Sequence, residues 1–492
     1  MSVIKIENLT FAYPSSSDNI FENVSFQIDT DWKLGFIGRN GRGKTTFLNL
    51  LQNKYQYSGK ITASVQFDYF PYSVPDKSKL TKEVLREICP MFEDWQITRE
   101  LSYLEVKDDC LYRPFDTLSN GEQTKVLLAA LFLNEGHFLL IDEPTNHLDV
   151  GARELVSAYL RKKKSFILVS HDRYFLDGCI DHILSINRSD IEIHSGNCSS
   201  YMENFERQQD FERRQNIRLQ NDIQRLQETA RRTAAWADKT EKTKYGRSDS
   251  GLKPDRGYIG HKSAKMMKRA KVAEARQRKE IEQKSTLLKN IEVESSLKIS
   301  PLTYRSERLI CLSAVVPFYG DKAVCAPVTF EIMRGDRIAL EGNNGSGKSS
   351  ILKLLCGQPI EYCGTIERGS GITVSCVPQD TSHLRGTLAD FAVSHHTDES
   401  LFKAILYKMG FDRQQFGKDI SDFSDGQKKK TLIAMSLCQQ AHLYVWDEPL
   451  NFIDIYSRIQ IEKLLKEFQP TMIFVEHDKA FRNLIATKTV KL

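Results

Sequence analysis

Two short stretches of this chain have the composition of a phosphate cradle. Gly38-Arg39-Asn40-Gly41-Arg42-Gly43-Lys44-Thr45 and Gly342-Asn343-Asn344-Gly345-Ser346-Gly347-Lys348-Ser349 both satisfy G-x-x-x-x-G-K-[ST]. The glycines let backbone N–H groups approach an anion closely. Lys44 and Lys348 would reach terminal phosphates, Thr45 and Ser349 would ligate Mg²⁺, and Thr46 and Ser350 follow as a helix starts. Further on, two apolar runs end in adjacent acids, Phe138-Leu-Leu-Ile-Asp142-Glu143-Pro144 and Leu443-Tyr-Val-Trp-Asp447-Glu448-Pro449. Asp142 and Asp447 suit a metal, directly or through water, and Glu143 and Glu448 suit a general base that orients an attacking water. About thirty residues later, His171 and His477 each follow a short apolar strand and are expected to contact a γ-phosphate.

The elements that must position these groups recur in register. The lysines lie 304 residues apart, Glu143 and Glu448 305, and His171 and His477 306. One unit of roughly 200 residues therefore occurs twice, with an insert between the copies. Each cradle is preceded by a strand, Trp32–Ile37 or Arg337–Leu340, and followed by a helix start, Thr46–Leu51 or Ile351–Leu355. We expect a first domain over residues 1–203, a linker over 204–295 and a second domain over 296–492.

Composition allows sizeable cores, with 40% hydrophobic and 27% charged residues. No apolar run approaches the ~20 residues of a membrane helix, and the amino-terminal alternation reads as a strand, so a cytoplasmic location is expected. Ten cysteines without C-x-x-C spacing point to free thiols. The net charge of +5 is uneven: residues 206–290 hold 23 Lys/Arg against 12 Asp/Glu, leaving 46 against 52 elsewhere. The positive excess belongs to the insert, which suggests a polyanionic partner.

Leu118-Ser119-Asn120-Gly121-Glu122-Gln123 and Phe423-Ser424-Asp425-Gly426-Gln427 resemble the signature motif of ATP-binding-cassette proteins. That resemblance implies an α/β fold of two P-loop cassettes in a head-to-tail sandwich. Each ATP would lie between one half's P-loop and the other half's Ser and Gly: Ser119 and Gly121, or Ser424 and Gly426. It places Tyr13 and Tyr319 against adenine and Gln379 beside the phosphates. Tyr72 stands where the first half should have that glutamine, and Asn120 and Asp425 replace a usual Gly. Tyr72 and Asp425 fall in the composite site that uses Lys44, where a carboxylate near the γ-phosphate weakens anion binding. The Lys44 site is expected to hydrolyse more slowly than the Lys348 site.

The insert reads as an antiparallel α-helical hairpin. Leu219, Ile223, Leu226, Ala230 and Thr233 form a narrow seam of the coiled-coil kind, and a second Gly- and Pro-free stretch runs from His261 to Ile291. Between them, about residues 237–262, glycines and a proline break the helix into an extended tip. Residues 231–271 hold 13 Lys/Arg against 4 Asp/Glu, interleaved with Trp236, Tyr245 and Tyr258, a mixture suited to phosphates and unpaired bases.

Two cassettes, a basic linker of about eighty residues and the stretch Asp142-Glu-Pro-Thr-Asn-His-Leu-Asp149 resemble the F subfamily of ATP-binding-cassette proteins, and within it the Lsa-type antibiotic-resistance proteins. The resemblance implies an ATPase with ATP and Mg²⁺ as cofactors, functional as a monomer without membrane partners. It implies binding to the bacterial 70S ribosome at the tRNA exit site, with the tip near 23S rRNA of the peptidyl-transferase centre and P-site tRNA. Trp236, Lys244, Tyr245, Arg247, Lys253, Arg256, Tyr258, Lys265, Lys268 and Arg269 are then the candidate contacts. It also implies protection against lincosamides, streptogramin A and pleuromutilins. A housekeeping translation factor of the subfamily is the nearest alternative. The tandem ATPase of a sugar importer is disfavoured by Tyr72 and the basic hairpin. A DNA-repair ATPase is disfavoured because neither cassette is interrupted.

Overall fold

The computed structural model describes residues 2–14, 19–146, 148–187, 190–242 and 297–492 except 321 and 344, together with positions 268, 272, 275 and 276. The chain divides into two compact units, residues 1–201 with 295–492, and residues 202–294.

In the first unit the repeat is visible in strand order. Among the described residues, one parallel sheet runs Gln66–Phe70, His137–Asp142, Phe166–Val169, Lys33–Gly38, His182–Asn187, with Asp190–Ser195 antiparallel at the edge. The other runs Val374–Val377, Leu443–Asp447, Met472–Val475, Arg337–Glu341, Lys488–Lys491, in the same topological order. Phe138, Leu139, Leu140 and Ile141 are all buried, as are Leu443 to Trp446, because parallel strands are covered on both faces and need continuous apolar runs. An antiparallel sheet packs on each: Phe21–Asp29, Val3–Phe11 and Ser58–Thr62 in the first half, and strands around Arg308–Tyr319 in the second. One core of the first half joins Ile4, Phe21, Phe36, Phe47, Phe138 and Val169, so the P-loop helix Lys44–Leu51 is wedged between its two sheets. The equivalent core of the second half joins Leu312, Leu340, Ile351 and Val445.

Strand register fixes the site geometry. Phe70 pairs with Ile141 as Val377 pairs with Trp446, so Tyr72 does occupy the place of Gln379. Both cradles, acid pairs and histidines lie at the carboxyl ends of parallel strands, where α/β sheets place ligands.

One cysteine expectation is corrected. Cys356 and Cys376 form a disulfide, their Cα atoms 6.4 Å apart, and the other eight cysteines are free. Cys356 caps the second P-loop helix and Cys376 lies on the neighbouring strand, a proximity that sequence spacing does not reveal.

The second unit is described mainly by the helix Cys198–Lys242, which begins in the first unit. Leu219, Ile223 and Leu226 are half-buried; the side chains of Ala230 and Thr233 lie outside the described residues. So do the tip and all of His261–Ile291 except the four isolated helical positions. Among the described residues no helix is long and apolar enough to cross a membrane.

Candidate nucleotide sites

The P-loops differ little from each other. Gly43 and Gly347 immediately precede the helices Lys44–Leu51 and Lys348–Leu355 with φ of 92° and 90°. A Cβ at Gly43 would stand 2.5 Å from Ile20, so both backbone hand and space demand glycine there. The Lys44 ammonium donates to Gly38 O at 2.8 Å and the Lys348 ammonium to Gly342 O and Asn343 O, each at 2.8 Å. Tyr13 and Tyr319 occupy matching places: the Tyr13 hydroxyl is 2.9 Å from Thr46 Oγ1, and Ser350 Oγ donates to the Tyr319 hydroxyl at 3.5 Å. Ser346 Oγ is buried without a hydrogen-bond partner, and Arg39 lies 5.9 Å from the Tyr456 ring centroid. Gly41 and Gly345 have open space around them, whereas Asn344 is outside the described residues.

Thr45 Oγ1 donates to Asp142 Oδ2 at 3.0 Å, and so does the Tyr69 hydroxyl. Asp447 Oδ1 is buried with no hydrogen-bond partner, beside Ser349. Burial raises both aspartates above the ordinary carboxylate range, with Thr45 and Tyr69 opposing at Asp142 and Ser349 at Asp447. These hydroxyl and carboxylate oxygens fit a small hard cation, which would compensate their burial.

Glu143 and Glu448 share a left-handed backbone, φ 49° and 46°, in which each N–H reaches the neighbouring strand at Val169 O or Val475 O. Ordinary L-residues avoid that region, and its retention at both acids marks a constrained site. Their surroundings differ. Glu448 accepts from Gln379 Nε2 at 3.0 Å and Asn451 Nδ2 at 2.5 Å, and its Oε1 is 3.2 Å from His477 Nε2. Glu143 Oε1 has no hydrogen-bond partner and is 3.4 Å from His171 Nε2. Burial, then Asp142, pushes Glu143 up to about 8. Burial raises Glu448 too, but His477, Lys429 and Gln379 outweigh it, and the net direction is down. Burial and the nearby Lys44 hold His171 well below its ordinary value, so it is neutral.

The two halves meet head to tail. A cavity of about 680 Å³ is lined by Ser119, Asn120 and Gly121 on one side and by Gly345, Gly347, Lys348, Ser349, Ser350, Gln379, Glu448 and His477 on the other. Its size is in the ordinary range for small-molecule sites, ~300–1,000 Å³. The signature serines are helix N-caps: Ser119 Oγ accepts from Glu122 N at 3.3 Å, and Ser424 Oγ from Gln427 N at 3.4 Å, each in a capping box. On the Lys44 side the cassettes also touch. Asn40 Nδ2 donates to Phe452 O at 2.6 Å, and a Cβ at Gly426 would stand 2.5 Å from both atoms.

Several positioning residues had no sequence cue beyond the repeat. Arg153 Nη1 binds Asp172 Oδ2 at 2.9 Å and Arg458 Nη1 binds Asp478 Oδ2 at 3.2 Å, both buried, and each fixes the residue after its histidine. Asp149 lines the shared cavity, and Asp454 is buried against Lys430 at 2.6 Å. Their matching offsets in the two halves were the available signal. Of the linker candidates, Trp236 lies on the described helix without a described side chain, and Lys268 is an exposed helical position. Lys244, Tyr245, Arg247, Lys253, Arg256, Tyr258, Lys265 and Arg269 lie outside the described residues.

Paired P-loops, acids and facing signatures define a two-cassette ATPase that binds ATP. The ABC transporter family profile matches residues 21–146 and 325–451, and the chain belongs to that family. It is 26% identical over 500 residues to "Ribosome protection protein VmlR" of Bacillus subtilis (strain 168), covering 97% of this chain and 84% of that protein. It is 25% identical over 547 residues to "Putative ATP-binding protein YdiF" of the same organism, covering 100% of this chain and 80% of the relative. A chain in the crystal structure of the complex of archaeal ribosomal stalk protein aP1 and ribosome recycling factor aABCE1 has a TM-score of 0.62. At 17% identity, over 98% of this chain and 87% of that one, this is a likeness of fold.

Proposed function

We propose that this protein is an F-subfamily, Lsa-type ribosome-protection ATPase that counters lincosamides, streptogramin A and pleuromutilins. The single observation that carries the nucleotide part is the cavity shared by Ser119–Gly121 and the Lys348 P-loop, which no one cassette can complete. Support for the ribosome comes from the near full-length relative named for ribosome protection and from the confinement of positive charge to residues 206–290.

In this reading two ATPs draw the cassettes together, because nucleotide binds the closed state better than the open one. Lys44 and Lys348 hold the phosphates, Ser119 and Ser424 approach from the facing half, and Tyr13 and Tyr319 cover the base. Thr45 with Asp142 and Ser349 with Asp447 would hold Mg²⁺, which would neutralise phosphate charge. Glu448, kept by Gln379 and His477, orients the water that attacks the γ-phosphate. Glu143 is the equivalent acid with a weaker set of partners. The closed form engages the 70S ribosome at the tRNA exit site, the linker acts toward the peptidyl-transferase centre, and hydrolysis releases it.

The test is expression in a susceptible Gram-positive host with inhibition by lincomycin, tiamulin and streptogramin A measured. Raised tolerance, lost when Glu143→Gln and Glu448→Gln are combined and the variant stays on ribosomes, is expected. Unchanged tolerance to all three favours a housekeeping translation factor.

A further inference from the structure

We propose that Lys429 is a positioning residue that couples the second signature to hydrolysis at the Lys348 site. The inference rests on the two-composite-site reading above. Lys429 lies on the helix Asp425–Cys438, five residues after Ser424, and is only 2% exposed. Its ammonium donates to Pro378 O at 2.8 Å, Asp447 O at 3.0 Å and Gln379 O at 3.4 Å. All three donors of the ammonium are engaged, each by a backbone carbonyl. A buried cation held by neutral carbonyls is costly beside an apolar side chain of similar volume. What it supplies is a tie between three segments: the signature helix, the loop carrying Gln379, and the strand end carrying Asp447 and Glu448.

The first half lacks this tie. Thr124 stands five residues after Ser119, and its hydroxyl bonds Asn120 O of its own helix at 2.9 Å. Tyr72 replaces the glutamine there. Tie and glutamine thus occur together in one cassette and are replaced together in the other. At the amino end of the Lys429 helix, Gly426 lies against Asn40 of the first P-loop. At Lys429, the same helix holds Gln379, whose side chain donates to Glu448 at 3.0 Å. A shift of the helix on closure at the Lys44 site is carried to the water-orienting pair of the Lys348 site, and Thr124 offers no equivalent tie from the first signature helix.

The experiment uses the full chain with Glu143→Gln, so that turnover comes from the Lys348 site. Adding Lys429→Met is expected to lower kcat about tenfold or more, as small misplacements of reacting groups do, with KM for ATP within about twofold. Ser424→Ala, made on the opposite composite site, is expected to lower kcat several-fold when Lys429 is present and to add little once it is replaced. Losses that multiply, or a kcat that survives Lys429→Met, would overturn the coupling. If the methionine variant does not fold, Lys429→Thr, the residue type at position 124, runs the same cycle. If neither folds, Lys429 is a structural residue and the proposal fails. Turnover remaining in Glu143→Gln with Glu448→Gln would instead overturn the assignment of the two acids.

Discussion

Replacing Glu448 with glutamine should cost far more turnover than replacing Glu143. The substitution is close to isosteric and removes only the carboxylate's capacity to take a proton. Glu448 is held by Gln379, Asn451 and His477 at the edge of the open composite cavity. Glu143 Oε1 has no hydrogen-bond partner, and across its site Asn40 is bonded to Phe452 O of the other cassette. A positioned general base contributes roughly 10²–10⁴-fold. If the Lys348 site carries nearly all turnover, Glu448→Gln lowers total kcat by at least about 30-fold, which is ~2 kcal/mol of barrier at ~1.36 kcal/mol per tenfold. Glu143→Gln then changes total kcat by less than about twofold, since it removes a minor contributor. Steady-state phosphate release at saturating ATP and Mg²⁺ reads both values, with binding of a fluorescent nucleotide confirming that each variant still loads. Two equal and independent sites would instead lose about half of turnover in each variant, and equal losses would refute the argument from geometry.

Asp454→Asn should destabilise the cassettes by ~3–5 kcal/mol, because it strands the buried Lys430 charge. Chemical denaturation checks this, with Glu154→Gln at the exposed Lys479 pair as a control expected to change little. Burial alone would raise the Asp454 carboxyl, but Lys430 holds it well below the ordinary range. Its stabilisation is therefore present above the unfolded-state value of ~4 and is lost as pH falls toward the folded-state value, visible as a wild-type stability loss in acid that Asp454→Asn lacks. Gly426→Ala, whose methyl group would meet Asn40 and the Phe452 carbonyl at 2.5 Å, should lower turnover at the Lys348 site several-fold through the Lys429 helix, as is expected of Ser424→Ala. Gly417→Ala, with open space at its Cβ, should leave turnover unchanged in the same phosphate assay.

Much of the site was legible in sequence because its chemistry is local. A phosphate nest needs Gly43 or Gly347 and a helix start within a few residues, and an acid pair needs a buried strand immediately before it. The 304–306 residue spacing then made one cassette a check on the other, even identifying Tyr72 as the replacement for Gln379 before strand register showed it. The helix through Leu219, Ile223 and Leu226 was legible for the same reason, since helical periodicity is a short-range pattern. The facing of Ser119 on Lys348 followed from the resemblance, whereas the contact of Asn40 with Phe452 412 residues away, the Lys429 tie and the Cys356–Cys376 bond arose only in the folded chain. Those contacts join segments that no local period relates. Sequence by itself therefore determined that there are two nucleotide cradles and which residues build each. Tertiary packing decided the contacts between the cassettes, such as that of Asn40 with Phe452, because they depend on how the two surfaces meet.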